Sequence, residues 1–109
     1  DKKALASYFE NEDLDVLVLN ETKIDDAITD TFSDVVPDTH IYWNCSVKKG
    51  YAGTAIISRH KPISVTKGID VEEHDNEGRI LTAEFPDFHV VVTVRCCVSR
   101  VFCCVLCVL

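Results

Sequence analysis

A short apolar run near the N-terminus constrains the fold more than any other feature of this sequence. Residues 15–20 read Asp-Val-Leu-Val-Leu-Asn, so four apolar residues lie between polar ends, and two of them are β-branched. The run is too short for a helix and is apolar on both faces of an extended chain, which predicts a buried, central strand. Glu21 and Lys23 follow it, at the carboxyl end of a strand, where open sheets place their ligand sites.

The segments on either side of this strand have helical spacing. Upstream, three apolar residues at positions i, i+3 and i+4 predict a short helix over residues 2–10. These three are Leu5, Tyr8 and Phe9. Downstream, apolar residues at helical spacing between residues 24 and 35 predict a second short amphipathic helix, which Pro37 ends.

From His40 onward the apolar period changes to two, which is typical of strands. Residues 40–47 and 51–58 predict a hairpin with a tight turn at residues 48–50. Further strands are predicted over residues 63–69, 79–85 and 88–94, with a loop at 70–77 and a turn at 86–87. Helices followed by a series of antiparallel strands predict an α/β fold with a sheet-rich core.

Composition favours one folded domain. The 109 residues are 47% hydrophobic and 27% charged, the balance of a soluble globular protein, and neither a linker nor an internal repeat divides them. The formal net charge of -7 argues against a basic nucleic-acid module. It leaves a metal-using nuclease open, because a bound cation sets the local field at such a site.

Residues 95–109 differ from the rest of the chain, because twelve of the fifteen are Cys, Val, Leu or Phe and none is acidic. Their apolar run is far shorter than the roughly 20 residues of a membrane helix, so we expect no membrane span. Their cysteines lack the spaced pairs of a disulfide framework or a zinc site, and an extended, aggregation-prone tail is predicted. With no signal peptide recognised at the N-terminus, we expect an intracellular, reducing setting.

Three places carry residues that suit phosphate chemistry. Glu21 is the first, because a hard divalent cation such as Mg²⁺ prefers one or two carboxylates plus water and phosphate oxygens. Lys23 beside it is a phosphate ligand, an exposed loop lysine, or a partner that orients a carboxylate. A lone carboxylate at a strand end is more often a solvated charge, so position alone leaves both interpretations of Glu21 open.

The second place is the segment Lys48, Lys49, Gly50 and Tyr51. Two ammonium groups, a backbone N–H and an aromatic ring can lie along a sugar-phosphate backbone, and the glycine permits close approach. An ordinary hairpin turn explains the same residues.

The third place is Arg79, at the start of a predicted strand. Its guanidinium can bind phosphate through two hydrogen bonds, or it can pair with Glu77 or Glu21. The four histidines have no metal-ligand spacing and are predicted to be structural or surface residues. These are His40, His60, His74 and His89.

Four segments, taken in order, resemble the N-terminal half of the exonuclease III type apurinic/apyrimidinic endonucleases, within the endonuclease/exonuclease/phosphatase superfamily. The segments are residues 15–23, 40–43, 49–59 and 72–80. The resemblance is collinear over residues 1–94 and stops there, so residues 95–109 are predicted to be a tail outside the family. The Glu-Glu-His-Asp-Asn-Glu-Gly-Arg loop favours the abasic-site branch, and a retrotransposon endonuclease domain is the nearest competitor.

The resemblance implies about half of a four-layer α/β sandwich with mostly antiparallel sheets. It implies Mg²⁺, with Mn²⁺ as a substitute, held partly by Glu21, and cleavage of the phosphodiester 5′ to an abasic site by an activated water. Lys23, Tyr51 and Arg79 then lie along the DNA, together with Lys48, Lys49 and Gly50. Asn20 stands where the family usually has glutamine, which keeps the amide.

The same resemblance implies double-stranded DNA with abasic sites as the partner, no membrane, no small-molecule cofactor and a monomer when complete. The nucleus is the implied compartment, with the mitochondrion as a second one. The family's first strand and its Tyr-x-Pro-Asn, Gly-Asp-x-Asn and Ser-Asp-His motifs are not among these 109 residues. We therefore expect this chain alone to be inactive; a non-catalytic DNA-binding remnant is the alternative function.

Overall fold

Two antiparallel sheets, stacked face to face, organise the computed structural model. It describes residues 2–20, 22–24, 26–29, 32, 35–50, 52–70, 72–97 and 100–108. The helices are Lys2–Asn11 (α1), Asp26–Thr29 (α2) and Glu72–Asp75 (α3). The strands are Val16–Asn20 (β1), His40–Asn44 (β2), Thr54–Ser58 (β3), Ser64–Lys67 (β4), Ile80–Glu84 (β5), His89–Cys97 (β6) and Arg100–Val108 (β7).

The first sheet has the order β1-β3-β2 among the described residues, with both pairs antiparallel. Every residue of β3 is buried, whereas β1 is half-buried along its length. The prediction that the apolar run of residues 15–20 is the central strand is therefore wrong. It lies at an edge of this sheet, and β3 takes the centre because it pairs on both sides.

Both faces of β1 are nevertheless packed, which explains its continuous apolar sequence. Val16 and Val18 contact the core between the two sheets, where Ile56 is fully buried. Leu17 and Leu19 pack on the opposite face, against the cluster formed with α1. A strand between a helix and a second sheet needs apolar side chains at every position.

The second sheet has the order β4-β5-β6-β7 among the described residues, and all its pairs are antiparallel. Leu81, Ala83 and Val92 are fully buried against the first sheet. The predicted tail takes part in this sheet: its first residues extend β6, and residues 100–108 form β7. Helix α1, the first sheet and the second sheet form successive layers, which confirms the α/β, mostly antiparallel class.

Helix α1 confirms the helix predicted over residues 2–10, but one of its three apolar residues is not buried. Phe9 is buried and Leu5 packs against the same cluster, but Tyr8 is 53% exposed. The helix stops where Asp13 adopts a positive φ of 49° and the Leu14 N–H donates to Phe9 O. No helix among the described residues is long and apolar enough to cross a membrane.

The predicted hairpin exists, but its strands are shorter and its connection longer. The last pair of β2 and β3 is Asn44 with Thr54, so the described residues between them, 45–50 and 52–53, form a loop instead of a tight turn. Positive φ values at Ala52 (48°) and Gly53 (93°) delay the start of β3 to Thr54, because extended strands require negative φ. The predicted loop at 70–77 contains the one-turn helix α3. α2 covers residues 26–29 of the longer predicted helix, of which residues 25, 30, 31, 33 and 34 lie outside the described residues.

Candidate functional site

Three loops meet at one end of the stacked sheets, and the strand directions explain why. Antiparallel pairing places the last residues of β1 and β2, Asn20 and Asn44, opposite Thr54, the first residue of β3. β5 also begins at this end, because Asn44 Nδ2 donates to Ile80 O at 2.6 Å. We call this the loop end, formed by the described residues 22–23, 45–50, 52–53 and 75–79.

The segment after β1 is bound to the segment before β3 through its backbone. Thr22 N–H donates to Gly53 O at 3.2 Å, and Lys23 N–H donates to Ala52 O at 2.7 Å. Lys23 itself has a positive φ of 54° and is exposed. Two of the places predicted from sequence are thus joined, since Lys23 lies beside the end of the loop that carries Lys48.

Gly53 is a glycine for a steric reason. A Cβ at this position would collide with Thr22 Oγ1, and the φ of 93° is one that other residues rarely adopt. Among the described residues, Thr22 Oγ1 is buried and has no hydrogen-bond partner. The close approach of these two segments therefore depends on the absence of a side chain at Gly53.

Gly78 makes a second close approach, here to the backbone of the 45–53 loop. A Cβ on Gly78 would collide with Asn44 O and would lie 2.7 Å from the carbonyl carbon of Cys45. The Thr54 hydroxyl, fully buried, donates to Gly78 O at 3.0 Å. Asn44 and Thr54, both buried polar residues at strand ends, thus hold the 75–79 loop against the first sheet.

The lysine-bearing loop is tied to the same structure. Val47 N–H donates to Asn76 O at 2.8 Å, across to the third loop. Lys48 N–H donates to Ser46 Oγ at 3.1 Å, which closes a local turn. Lys48 and Lys49 are both exposed, so the loop presents two ammonium groups to solvent from an anchored backbone.

Arg79 is paired, as one of the alternatives from sequence proposed. Its Nε donates to Glu77 Oε2, and its side chain is only 12% exposed while that of Glu77 is 44% exposed. Glu77 thus fixes the guanidinium from one side, close to the start of β5.

The structure therefore brings most of the predicted site residues to one end of the fold. Lys23, Lys48, Lys49, Gly50 and Arg79 all lie at the loop end. Glu21 and Tyr51 lie outside the described residues, although their chain neighbours are at this end. Sequence reasoning assigned no role to Asn44, Thr54 or Gly78; polar residues at the ends of an alternating apolar pattern were the available signal.

Among the described residues, no group of three or more His, Cys, Asp or Glu side chains is placed to hold a metal ion. The described donor set does not by itself fit Mg²⁺, so the metal prediction depends on Glu21. One protein carboxylate is compatible with this ion, since Mg²⁺ keeps several waters and takes phosphate oxygens as further ligands.

Comparison with known proteins places this arrangement in a family. The model of the Endonuclease/Exonuclease/phosphatase family matches residues 1–103. The chain belongs to this family. The match ends nine residues beyond Val94, and the boundary of the family domain at Val94 stays a prediction.

Two relatives are similar to this chain over most of the length of the chain. The exodeoxyribonuclease of Bacillus subtilis (strain 168) is 48% identical over 89 residues, which are 82% of this chain and 34% of the relative. The DNA repair nuclease APEX1 of Danio rerio is 44% identical over 92 residues, 83% of this chain and 30% of the relative. The chain thus spans about a third of the length of the curated relatives it matches.

A solved structure has the same fold over nearly the whole chain. The AP endonuclease LMAP from Leishmania major superimposes with a TM-score of 0.60 at 25% identity, covering 96% of this chain and 34% of that one. The two stacked sheets thus correspond to part of a larger nuclease fold.

Proposed function

We propose that this chain carries an N-terminal part of a Mg²⁺-dependent DNA-repair endonuclease that cleaves the phosphodiester 5′ to abasic sites. The observation that carries the proposal is the backbone pairing of Thr22 and Lys23 with Ala52 and Gly53, which joins two predicted phosphate-binding segments at one end of the fold. The names of the similar proteins, a DNA repair nuclease and an AP endonuclease, support the same reaction.

In this proposal Glu21 is a carboxylate ligand of Mg²⁺ or Mn²⁺. The ion would supply neutralisation of the charge that develops on the phosphate during hydrolysis. Glu21 directly precedes Thr22 in the sequence, and the Thr22 N–H donates to Gly53 O. The ordering of this segment before DNA arrives lowers the entropy cost of assembling the site.

The exposed cations at the loop end bind the phosphates of double-stranded DNA. Lys23, Lys48 and Lys49 present ammonium groups, and Gly50 permits the backbone to approach closely. In this proposal Tyr51 contacts the DNA backbone beside them. Arg79, oriented by Glu77, contacts a phosphate.

We further propose that the 109-residue chain does not incise DNA by itself. Hydrolysis needs a metal, a group that activates water and donors that stabilise the developing charge, and these act as a unit. Of these three, only the metal has a proposed ligand in this chain, Glu21. The enzyme as a whole acts as a monomer in the nucleus, with the mitochondrion as a second compartment.

A chimera tests the catalytic role directly. The matched 89-residue segment of the Bacillus subtilis exodeoxyribonuclease is replaced by the corresponding residues of this chain, and incision of a duplex with one abasic site is measured in Mg²⁺. We expect incision, and a loss of at least about 100-fold on Glu21→Gln, the scale on which such groups act. Glu10→Gln, at an exposed position of α1, is the matched control.

Unchanged incision by the Glu21→Gln chimera would remove Glu21 from the metal site. The purified 109-residue chain is assayed in parallel, together with a version that ends at Val94. Turnover by either one that disappears on Glu21→Gln would contradict the proposed inactivity of the chain.

A further inference from the structure

Val47 is the most exposed large apolar side chain of the described residues. It is 79% exposed, and the next, Ile63, is 64% exposed. Single exposed apolar residues are ordinary on protein surfaces, so exposure alone assigns nothing to it. What distinguishes Val47 is the combination of its backbone anchoring and its neighbours.

The backbone on both sides of this side chain is fixed. Val47 N–H donates to Asn76 O at 2.8 Å in another loop, and the next N–H, of Lys48, donates to Ser46 Oγ at 3.1 Å. A contact between loops therefore holds an apolar side chain away from the core and toward solvent. Because the backbone that carries Val47 is fixed, a partner that covers this side chain does not have to order the loop as well.

The neighbours of Val47 indicate a polyanionic partner. Lys48 and Lys49 follow it directly and are exposed, and Lys23 is exposed at the same end of the fold. In a chain of net charge -7, two exposed lysines that directly follow an exposed apolar side chain favour an anion with apolar parts. Duplex DNA has both, because phosphates alternate with sugars whose C–H faces line the groove.

We infer that Val47 is an apolar contact to the DNA: it packs against the sugars and base edges of the groove while the lysines beside it bind the flanking phosphates. The inference rests on the proposed function. It adds an apolar contact to the DNA, whose strength does not depend on charge. Apolar side chains inserted into a groove are a recurrent device of DNA-binding proteins.

Equilibrium binding by the 109-residue chain tests this inference. The probe is a fluorescein-labelled duplex with one tetrahydrofuran abasic analogue, and Kd is measured by anisotropy over a series of salt concentrations. Val47→Thr keeps the shape and removes the apolar character; Val47→Leu keeps the apolar character. Ile63→Thr is the matched control, since Ile63 is β-branched and exposed but precedes β4 at the opposite end of the sheets.

We expect Val47→Thr to weaken binding about 5-fold, the scale of partial burial of one valine side chain, with an unchanged salt slope. Val47→Leu and Ile63→Thr should bind like the parent chain. Lys48→Gln and Lys49→Gln should each reduce the salt slope by about one. Trp43 fluorescence is recorded for every variant as a check on folding.

The outcomes separate the two proposals. Parent-like binding by Val47→Thr, with weakened lysine variants, would overturn the role of Val47 and leave the DNA surface standing. A changed salt slope in Val47→Thr, or an equal loss in Ile63→Thr, would also overturn it, because the effect would then be indirect or general. No binding by the parent chain at low salt would overturn both proposals for this chain.

Discussion

The two ends of the stacked sheets are held together in different ways. At the loop end, contacts run through backbone atoms: Thr22 and Lys23 pair with Ala52 and Gly53, and Gly78 lies against the Asn44 carbonyl. The opposite end, which we call the turn end, is formed by residues 59–63 and 85–88 with the residues that contact them. There backbone bonds, such as that from Ile63 N–H to Glu84 O at 2.6 Å, are joined by contacts between exposed charged side chains.

Exposed side chains add further contacts at the turn end. Arg59 Nη1 lies 3.1 Å from Asp13 Oδ1, and His60 Nε2 lies 3.7 Å from Asp15 Oδ1. Asp13 is 89% exposed, so solvent screens its pair with Arg59. The Arg59–Asp13 ion pair of the turn end can therefore be removed at little cost, whereas the loop end has glycine positions where no side chain fits.

This difference shows that the loop end has stricter geometric requirements than the turn end. Backbone contacts at the loop end fix the relative positions of three chain segments, and Gly53 and Gly78 lie where an added Cβ would collide with a neighbouring segment. A site that must hold a phosphate needs such fixed positions. The comparison of the two ends leads to four predictions, each measured as the free energy of urea unfolding with Trp43 fluorescence as the probe.

The largest effect is expected at Gly78. Gly78→Ala should destabilise the chain by about 3 kcal/mol, because a Cβ would collide with Asn44 O, a backbone atom that cannot move aside. Gly50→Ala is the matched control: its φ of 68° is close to the 62° of Gly78, but nothing lies within 4 Å of the added Cβ. It should cost about 1 kcal/mol, the cost of the left-handed backbone alone. Equal losses of stability in Gly78→Ala and Gly50→Ala would show that backbone strain at positive φ, and not the close approach of Asn44 O, causes the cost at Gly78.

The second effect is expected at Gly53, where the obstacle is a side chain. Gly53→Ala should cost about 2 kcal/mol from its collision with Thr22 Oγ1 and its φ of 93°. In a Thr22→Ala background the cost should fall by about 1 kcal/mol, since the obstructing hydroxyl is gone. Strict additivity of the two substitutions would contradict the proposed contact.

The third effect concerns the buried hydroxyl of Thr54. Thr54→Val keeps the shape but leaves Gly78 O without its hydrogen bond, so we expect a loss of about 1–2 kcal/mol. Thr66→Val is the control, because Thr66 is exposed on β4 and should change stability by less than about 0.5 kcal/mol. A Thr54→Val variant as stable as the parent would show that the 75–79 loop does not depend on this bond.

The smallest effect is expected at the turn end. Asp13→Asn removes the ion pair with Arg59 while keeping a residue that tolerates the positive φ of 49° at this position. The loss should be about 0.5 kcal/mol or less at low salt and should vanish at 1 M NaCl. If Asp13→Asn cost more stability than Thr54→Val, the turn end would be more sensitive to substitution than the loop end, which would contradict the prediction.

Sequence patterns predicted the elements better than their positions in the sheet. The apolar run of β1 and the period-two pattern from His40 identified strands correctly, because periodicity reports which faces are covered. The same run was assigned to the centre of the sheet, although β3 lies there. A strand at an edge between a helix and a second sheet is as apolar as a central one, so sequence alone does not separate the two cases.

The length of the 45–53 loop was also beyond local reasoning. Lys48, Lys49 and Gly50 resemble a tight turn, but Val47 N–H bonds to Asn76, a residue 29 positions away. That partner belongs to a loop whose position depends on the stacking of the two sheets. Local propensity therefore predicted a turn where a long-range backbone bond dictates a loop.

The sequence by itself determined the α/β class, the order of helices and strands, and the residue types suited to phosphate, because these follow from local pattern and side-chain chemistry. The tertiary structure alone decided that Lys23, Lys48 and Arg79 share one end of the fold, and that Asn44, Thr54 and Gly78 connect the loops there. The reason is physical: the glycines and buried polar groups at the loop end act through contacts between segments far apart in sequence, and such contacts exist only once the sheets have stacked.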